Sequence, residues 1–126
     1  MWRRIELRGK VIMKIIDIDD VPGRYIDIPG MTRTIKDILA TDKMTTHLGA
    51  IPPGQSTSNH SHPLSEEIVY IVKGAGKCRV GEQTGEFRVN CMLFVPEGVP
   101  HQYTNTSSED LILIAVYSPP AEVPKK

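Results

Sequence analysis

With 126 residues, and 15 lysines and arginines against 15 aspartates and glutamates, the chain has room for one domain and no charge excess favouring nucleic acid or a membrane surface. Cys78 and Cys91 are too few to staple a domain of this size, and neither sits in a CxxC pair; they read as small apolar side chains in a reducing cytoplasm. No apolar stretch is long enough to span a bilayer, and no export-signal run follows the early arginines, because Asp17, Asp19 and Asp20 intervene.

At the N-terminus, Ile5 and Leu7 alternate with Glu6 and Arg8. That pattern predicts that residues 1–12 are an extension whose edge strand adds to a partner's sheet in a homodimer; a frayed end, with Met13 as the alternative start, is the competing reading. Residues 13–118 make the domain. Thr32 to Ala40 carries Ile35, Ile38 and Leu39 at helical spacing, yet its β-branched residues suit a strand equally well. His47 either lines an interior cavity or faces outward. From Ile68 onward the reading is β throughout: Ile68–Val72, Lys77–Val80, Glu86–Val89, Cys91–Val95 and Leu111–Tyr117, with Gly81–Gly85 as a hairpin turn. Short strands at this spacing, broken by ten glycines and ten prolines, predict an all-β antiparallel sandwich or barrel. Residues 119–126 form a proline-rich tail expected to lie extended outside the core.

Three of the four histidines fall in two short windows, HSHPLSEE and PEGVPHQYTN. Residues two apart on a strand point the same way, so His60 and His62 can converge on one ion while Ser61 points away. Pro63-Leu64-Ser65 then turns the chain, and Glu66 or Glu67 opens the next strand as a third ligand. The turn Pro96–Pro100 delivers His101 from a strand remote in sequence, with Tyr103 and Asn105 on the same face. Three imidazoles and a carboxylate suit a divalent transition metal. Gln55 and Tyr103 are candidates for the surrounding pocket, and Asn105 for tying down its own turn.

These windows resemble the two motifs of the cupin superfamily. The first motif runs G, five residues, HxH, three or four residues, E, six residues, G, and Gly54, His60, His62, Glu67 and Gly74 match it. In the second, PxG, two residues, H, three residues, N is met by Pro96, Gly98, His101 and Asn105, with Asn90 in place of the opening glycine. Asparagine is the best substitute at a left-handed position. The step to Gly74 selects Glu67 over Glu66. The resemblance covers Ala50 to about Tyr117, and it implies a double-stranded β-helix, or jelly roll, with a metal inside the barrel mouth and often a dimer.

The expected function is that of a metal-dependent enzyme acting on a small organic molecule. Its ligands are His60, His62, Glu67 and His101, and its cofactor is one divalent ion, iron, manganese, nickel or zinc. Dioxygenase chemistry is slightly preferred. A non-redox isomerase, epimerase or lyase is the alternative, and a non-catalytic binding protein for metal or small ligand is the rival class. Fold does not choose among them.

Overall fold

The computed structural model describes residues 12–122, so the expected edge strand at the N-terminus lies almost wholly outside the described residues. Nine strands follow a short 3-10 turn at Ile18–Asp20: β1 Arg24–Ile26, β2 Arg33–Ala40, β3 Thr45–Ile51, β4 Glu66–Lys73, β5 Ala75–Val80, β6 Gln83–Arg88, β7 Met92–Val95, β8 His101–Asn105 and β9 Leu111–Ser118. They form two antiparallel sheets, one in the order β1-β2-β3-β9-β4-β7 and one in the order β6-β5-β8. This is the jelly roll that the cupin resemblance implies, built of the antiparallel strands that the sequence pattern predicts. No α-helix occurs among the described residues.

Alternation explains the strands directly. On β9, Leu111, Leu113, Ala115 and Tyr117 are buried while the residues between them are not; on β4, Glu67, Val69 and Ile71 are buried while Glu66, Ile68 and Tyr70 are exposed. The inward set closes one core between the sheets, and burying each large apolar side chain contributes about 1.5–3 kcal/mol. The ambiguous stretch Thr32 to Ala40 is strand. Pairing with β1 on one side and β3 on the other overrides its helical spacing, with a bulge between Asp37 and Leu39.

The hairpin between β5 and β6 is tighter than expected. Val80 pairs directly with Gln83, leaving only Gly81-Glu82 as the loop. Two positions carry the turn chemistry of the motifs. Gly98 has φ 73° and Asn90 has φ 72°, both left-handed, so asparagine serves where the motif expects glycine. Past β9, Pro119 O accepts a hydrogen bond from Ser65 Oγ at 2.6 Å and Ala121 exchanges two with Thr45 Oγ1, at 2.8 and 3.1 Å, which ties the start of the tail to the domain. Cys78 and Cys91 are free, half-buried thiols packed against the core. Among the described residues no helix is long and apolar enough to cross a membrane.

Candidate metal centre

The two sheets meet around His60, His62, Glu67 and His101. Glu67 comes from β4 of the larger sheet and His101 from β8 of the smaller one. His60 and His62 lie on the connection between β3 and β4. That connection is not a continuous strand, contrary to expectation: it makes one isolated bridge in which His60 N–H donates to His101 O at 3.1 Å and His101 N–H donates to His60 O at 2.8 Å. Gly98 N–H donates to His62 O at 2.9 Å, so the turn that delivers His101 also pins His62. Each of the four residues offers a ligand atom within 4.8 Å of the others. Donors bound to one ion at about 2.0–2.2 Å have mutual distances up to about 4.4 Å, so the cluster needs little adjustment to close on a metal.

The rings are aimed as ligands. His60 Nδ1 is 2.7 Å from Ser58 O and His101 Nδ1 is 2.8 Å from Val99 O. Each Nδ1–H therefore donates to a carbonyl, which turns Nε2 toward the cluster. His101 Nε2 donates to Glu67 Oε1 at 3.0 Å, and Tyr103 Oη donates to Glu67 Oε2 at 2.9 Å. His62 Nε2 is buried without a hydrogen-bond partner, 3.7 Å from Glu67 Oε1. A buried polar atom left alone costs about 1–3 kcal/mol, and an ion among these four groups would satisfy it. The residues thus fit a divalent transition metal.

Electrostatics follow from burial and pairing. Burial lowers the His60 imidazole to about 4 and also lowers His62, so both keep the neutral form that ligation needs. Burial pushes the Glu67 carboxyl up, but the hydrogen bond and charge of His101 and the Tyr103 hydroxyl outweigh it and hold Glu67 below the ordinary range. His101 shows the converse: burial pulls it down, and Glu67 holds it above its usual value. Glu66 is exposed on the opposite face of β4, whereas Glu67 is only 2% exposed.

Beside the cluster, between the sheets, lies a narrow cavity reached by His60, Glu67 and Tyr103 and walled by Ile35, Ile51 and Leu113. About 20 Å³ of it admits the centre of a water-sized sphere, room for about one or two waters. His47 lines it, is held neutral by burial down to about 4, and packs with its ring centroid 5.3 Å from that of Tyr117 at a 44° tilt; the Tyr117 ring is 4.3 Å from that of His62. Gln55 does not line it; its Oε1 accepts from Thr32 N–H at 3.1 Å and Thr32 Oγ1 at 2.8 Å. Arg33 and Tyr117 line the cavity and were not singled out by the sequence reading. One signal pointed to Arg33: it shares the inward parity of Ile35, an unusual place for a guanidinium.

Comparisons with known proteins agree with this architecture. The family model of the cupin domain matches residues 47–117. The chain is 32% identical over 118 residues to polyketide synthase CurC of Streptomyces cyaneus, covering 91% of this chain and 75% of that protein. Among solved structures, a predicted oxalate decarboxylase of Thermotoga maritima superposes with a TM-score of 0.76 at 21% identity, over 83% of this chain and 98% of that one. The polyketide cyclase RemF of Streptomyces resistomycificus gives a TM-score of 0.73 at 21% identity, over 86% of this chain and 80% of that one. Their shared fold, and a family match that runs from β3 to β9 across both motifs, make this chain a member of the cupin family.

Proposed function

We propose that this protein is a metal-dependent enzyme acting on a small organic molecule, with His60, His62, Glu67 and His101 holding one divalent ion of iron, manganese, nickel or zinc. The observation that carries this reading is the orphaned His62 Nε2 within a cluster whose other donors are already oriented. When bound, the ion would supply Lewis acidity, and iron would add redox chemistry with dioxygen. The protein's own groups orient and enclose. Tyr103 fixes the Glu67 carboxylate, the Ser58 and Val99 carbonyls fix two imidazoles, and Ile35, Ile51 and Leu113 give the cavity an apolar wall.

Dioxygenase chemistry stays ahead of isomerase or lyase chemistry because the cavity offers no tuned base outside the cluster. His47 stays neutral down to about 4, too acidic an imidazolium for efficient proton abstraction near pH 7. The polyketide-synthase name carried by the CurC relative is compatible with either chemistry on an enolisable substrate.

The test is elemental analysis by plasma mass spectrometry beside a His60→Ala, His62→Ala double variant, followed by oxygen uptake. About one ion per chain, lost in the variant, supports the site. Oxygen consumption with iron and none with zinc supports the oxygenase; turnover with either metal and no oxygen supports the isomerase or lyase. No metal after reconstitution with each ion leaves a binding scaffold.

A homodimer belongs to the same proposal. Ile68, Tyr70, Met92 and Phe94 are exposed on paired outward positions of β4 and β7, an apolar surface that a second copy would cover. Light scattering on Phe94→Glu tests it: a dimer that becomes a monomer supports the pairing, and a wild type that is already monomeric removes it.

A further inference from the structure

Apart from the metal cluster, the lining of the cavity holds a buried cation with no counterion among the described residues. Arg33 is only 2% exposed and lines the cavity, yet its one hydrogen bond among the described residues runs from Nη1 to Met31 O at 2.7 Å. No described carboxylate lies within ion-pair distance of it. Asp37, the acid nearest in sequence on β2, is engaged by Arg24 at 2.9 Å, and Glu67 belongs to the histidine cluster. Buried guanidinium groups are normally paired, because an unpaired charge in a low-dielectric interior is costly. Tyr117 lines the same cavity, close enough for its hydroxyl and the Arg33 guanidinium to interact electrostatically.

We propose that Arg33, with the Tyr117 hydroxyl beside it, is the anchor for a carboxylate on the substrate, so that the molecule taken up is a compact organic acid. Its other oxygen function reaches the cluster of His60, His62, Glu67 and His101. The planar guanidinium presents two N–H groups in the geometry a carboxylate accepts, and the apolar wall of Ile35, Ile51 and Leu113 strengthens that pairing by excluding water. Charge points the same way. A divalent ion against one carboxylate, Glu67, leaves one positive charge in the cavity, and Arg33 adds a second. The cavity has room for about one or two waters as it stands, so only an acid of few carbons fits, and the lining side chains must move apart to admit it. This inference rests on the metal reading for the second contact, but not for the first.

The experiment uses glycolate and pyruvate against their neutral amides, measured by calorimetry on the metal-loaded protein and on Arg33→Met and Arg33→Lys, with metal content determined for each. The expected result is that each acid binds the wild type about 10- to 100-fold more tightly than its amide. Arg33→Met should bring the acid down to the level of the amide while metal content is unchanged, and Arg33→Lys should recover part of the loss. Acid affinity retained in Arg33→Met, equal binding of acid and amide, or no binding of either overturns the anchor. Acetate against acetamide on metal-free wild type is the second measurement. It reads Arg33 without the ion and stands even if Arg33→Met does not fold; selective binding of acetate is expected, and indifference overturns the proposal. A wild type that takes up no metal but still selects acetate would sink the metal reading and keep the arginine.

Discussion

The two ends of the cavity are built on opposite rules. At one end, Glu67 accepts from two partners and two of the three imidazoles are locked by backbone carbonyls, while His62 Nε2 is buried without a partner. At the other end, Arg33, His47 and Tyr117 line the space with polar groups that are hardly committed to one another. A site whose members hold each other is preorganised for something small and of fixed geometry, such as an ion. A site whose members are held mainly by packing is left free to take hydrogen bonds from a molecule. The difference assigns metal to the first end and substrate to the second.

The sharpest way to break this division is to empty the first end. In the His60→Ala, His62→Ala variant, metal content should fall from about one ion per chain to none. The thermal stabilisation by added metal, about 2.7 kcal/mol at a hundredfold excess over Kd, should vanish with it. Selective binding of acetate should survive. Loss of both properties together would show one indivisible site.

The next effect is smaller and belongs to the second end. His47 is buried and neutral, with its pKa moved from 6.5 to about 4, so between those values the unfolded chain binds the proton and the folded one does not. Its contribution is therefore fully present above pH 6.5 and is lost as the pH falls toward 4, up to about 3 kcal/mol. His60 behaves alike, so the informative quantity is a difference. Metal-free wild type should lose more stability across this window than His47→Gln, measured by denaturant melts at stepped pH. Parallel curves would mean that His47 is solvated or already charged in the fold.

What could be read from the sequence follows the same division. The first end is local in the chain: His60, His62 and Glu67 fall within eight positions, and turns at Pro63 and at Pro96–Pro100 mark where the chain comes back. The fold was equally legible where one face is buried, as on β4 and β9, whose strict alternation fixes both strand and direction. It was not legible on β6, where five of six residues are exposed and no alternation marks the start at Gln83. Nor could periodicity settle Arg33–Ala40, because a bulge breaks its period and only pairing with β1 and β3 decides it. The second end was hidden for a topological reason. Arg33, His47 and Tyr117 lie on β2, β3 and β9, adjacent in the sheet but scattered along the chain, and no short motif can mark residues that only sheet order assembles.

Tyr103 is the smallest and most discriminating probe, because it touches both ends. Its hydroxyl orients Glu67, its ring lines the cavity, and its backbone N–H is held by Thr57 Oγ1 at 3.0 Å. Tyr103→Phe keeps the ring and the backbone bond and removes only the hydroxyl. If the hydroxyl serves the first end, metal affinity by chelator competition should weaken about 10- to 100-fold, while acetate binding to the metal-free protein stays at the wild-type value. Glu67 would remain a ligand, since β4 still presents its buried carboxylate to the cluster, so the loss should be partial. An unchanged metal affinity would mean that the carboxylate is oriented by the strand alone. A change in acetate binding of the same size would mean that the two ends share one hydrogen-bond network and cannot be tuned separately.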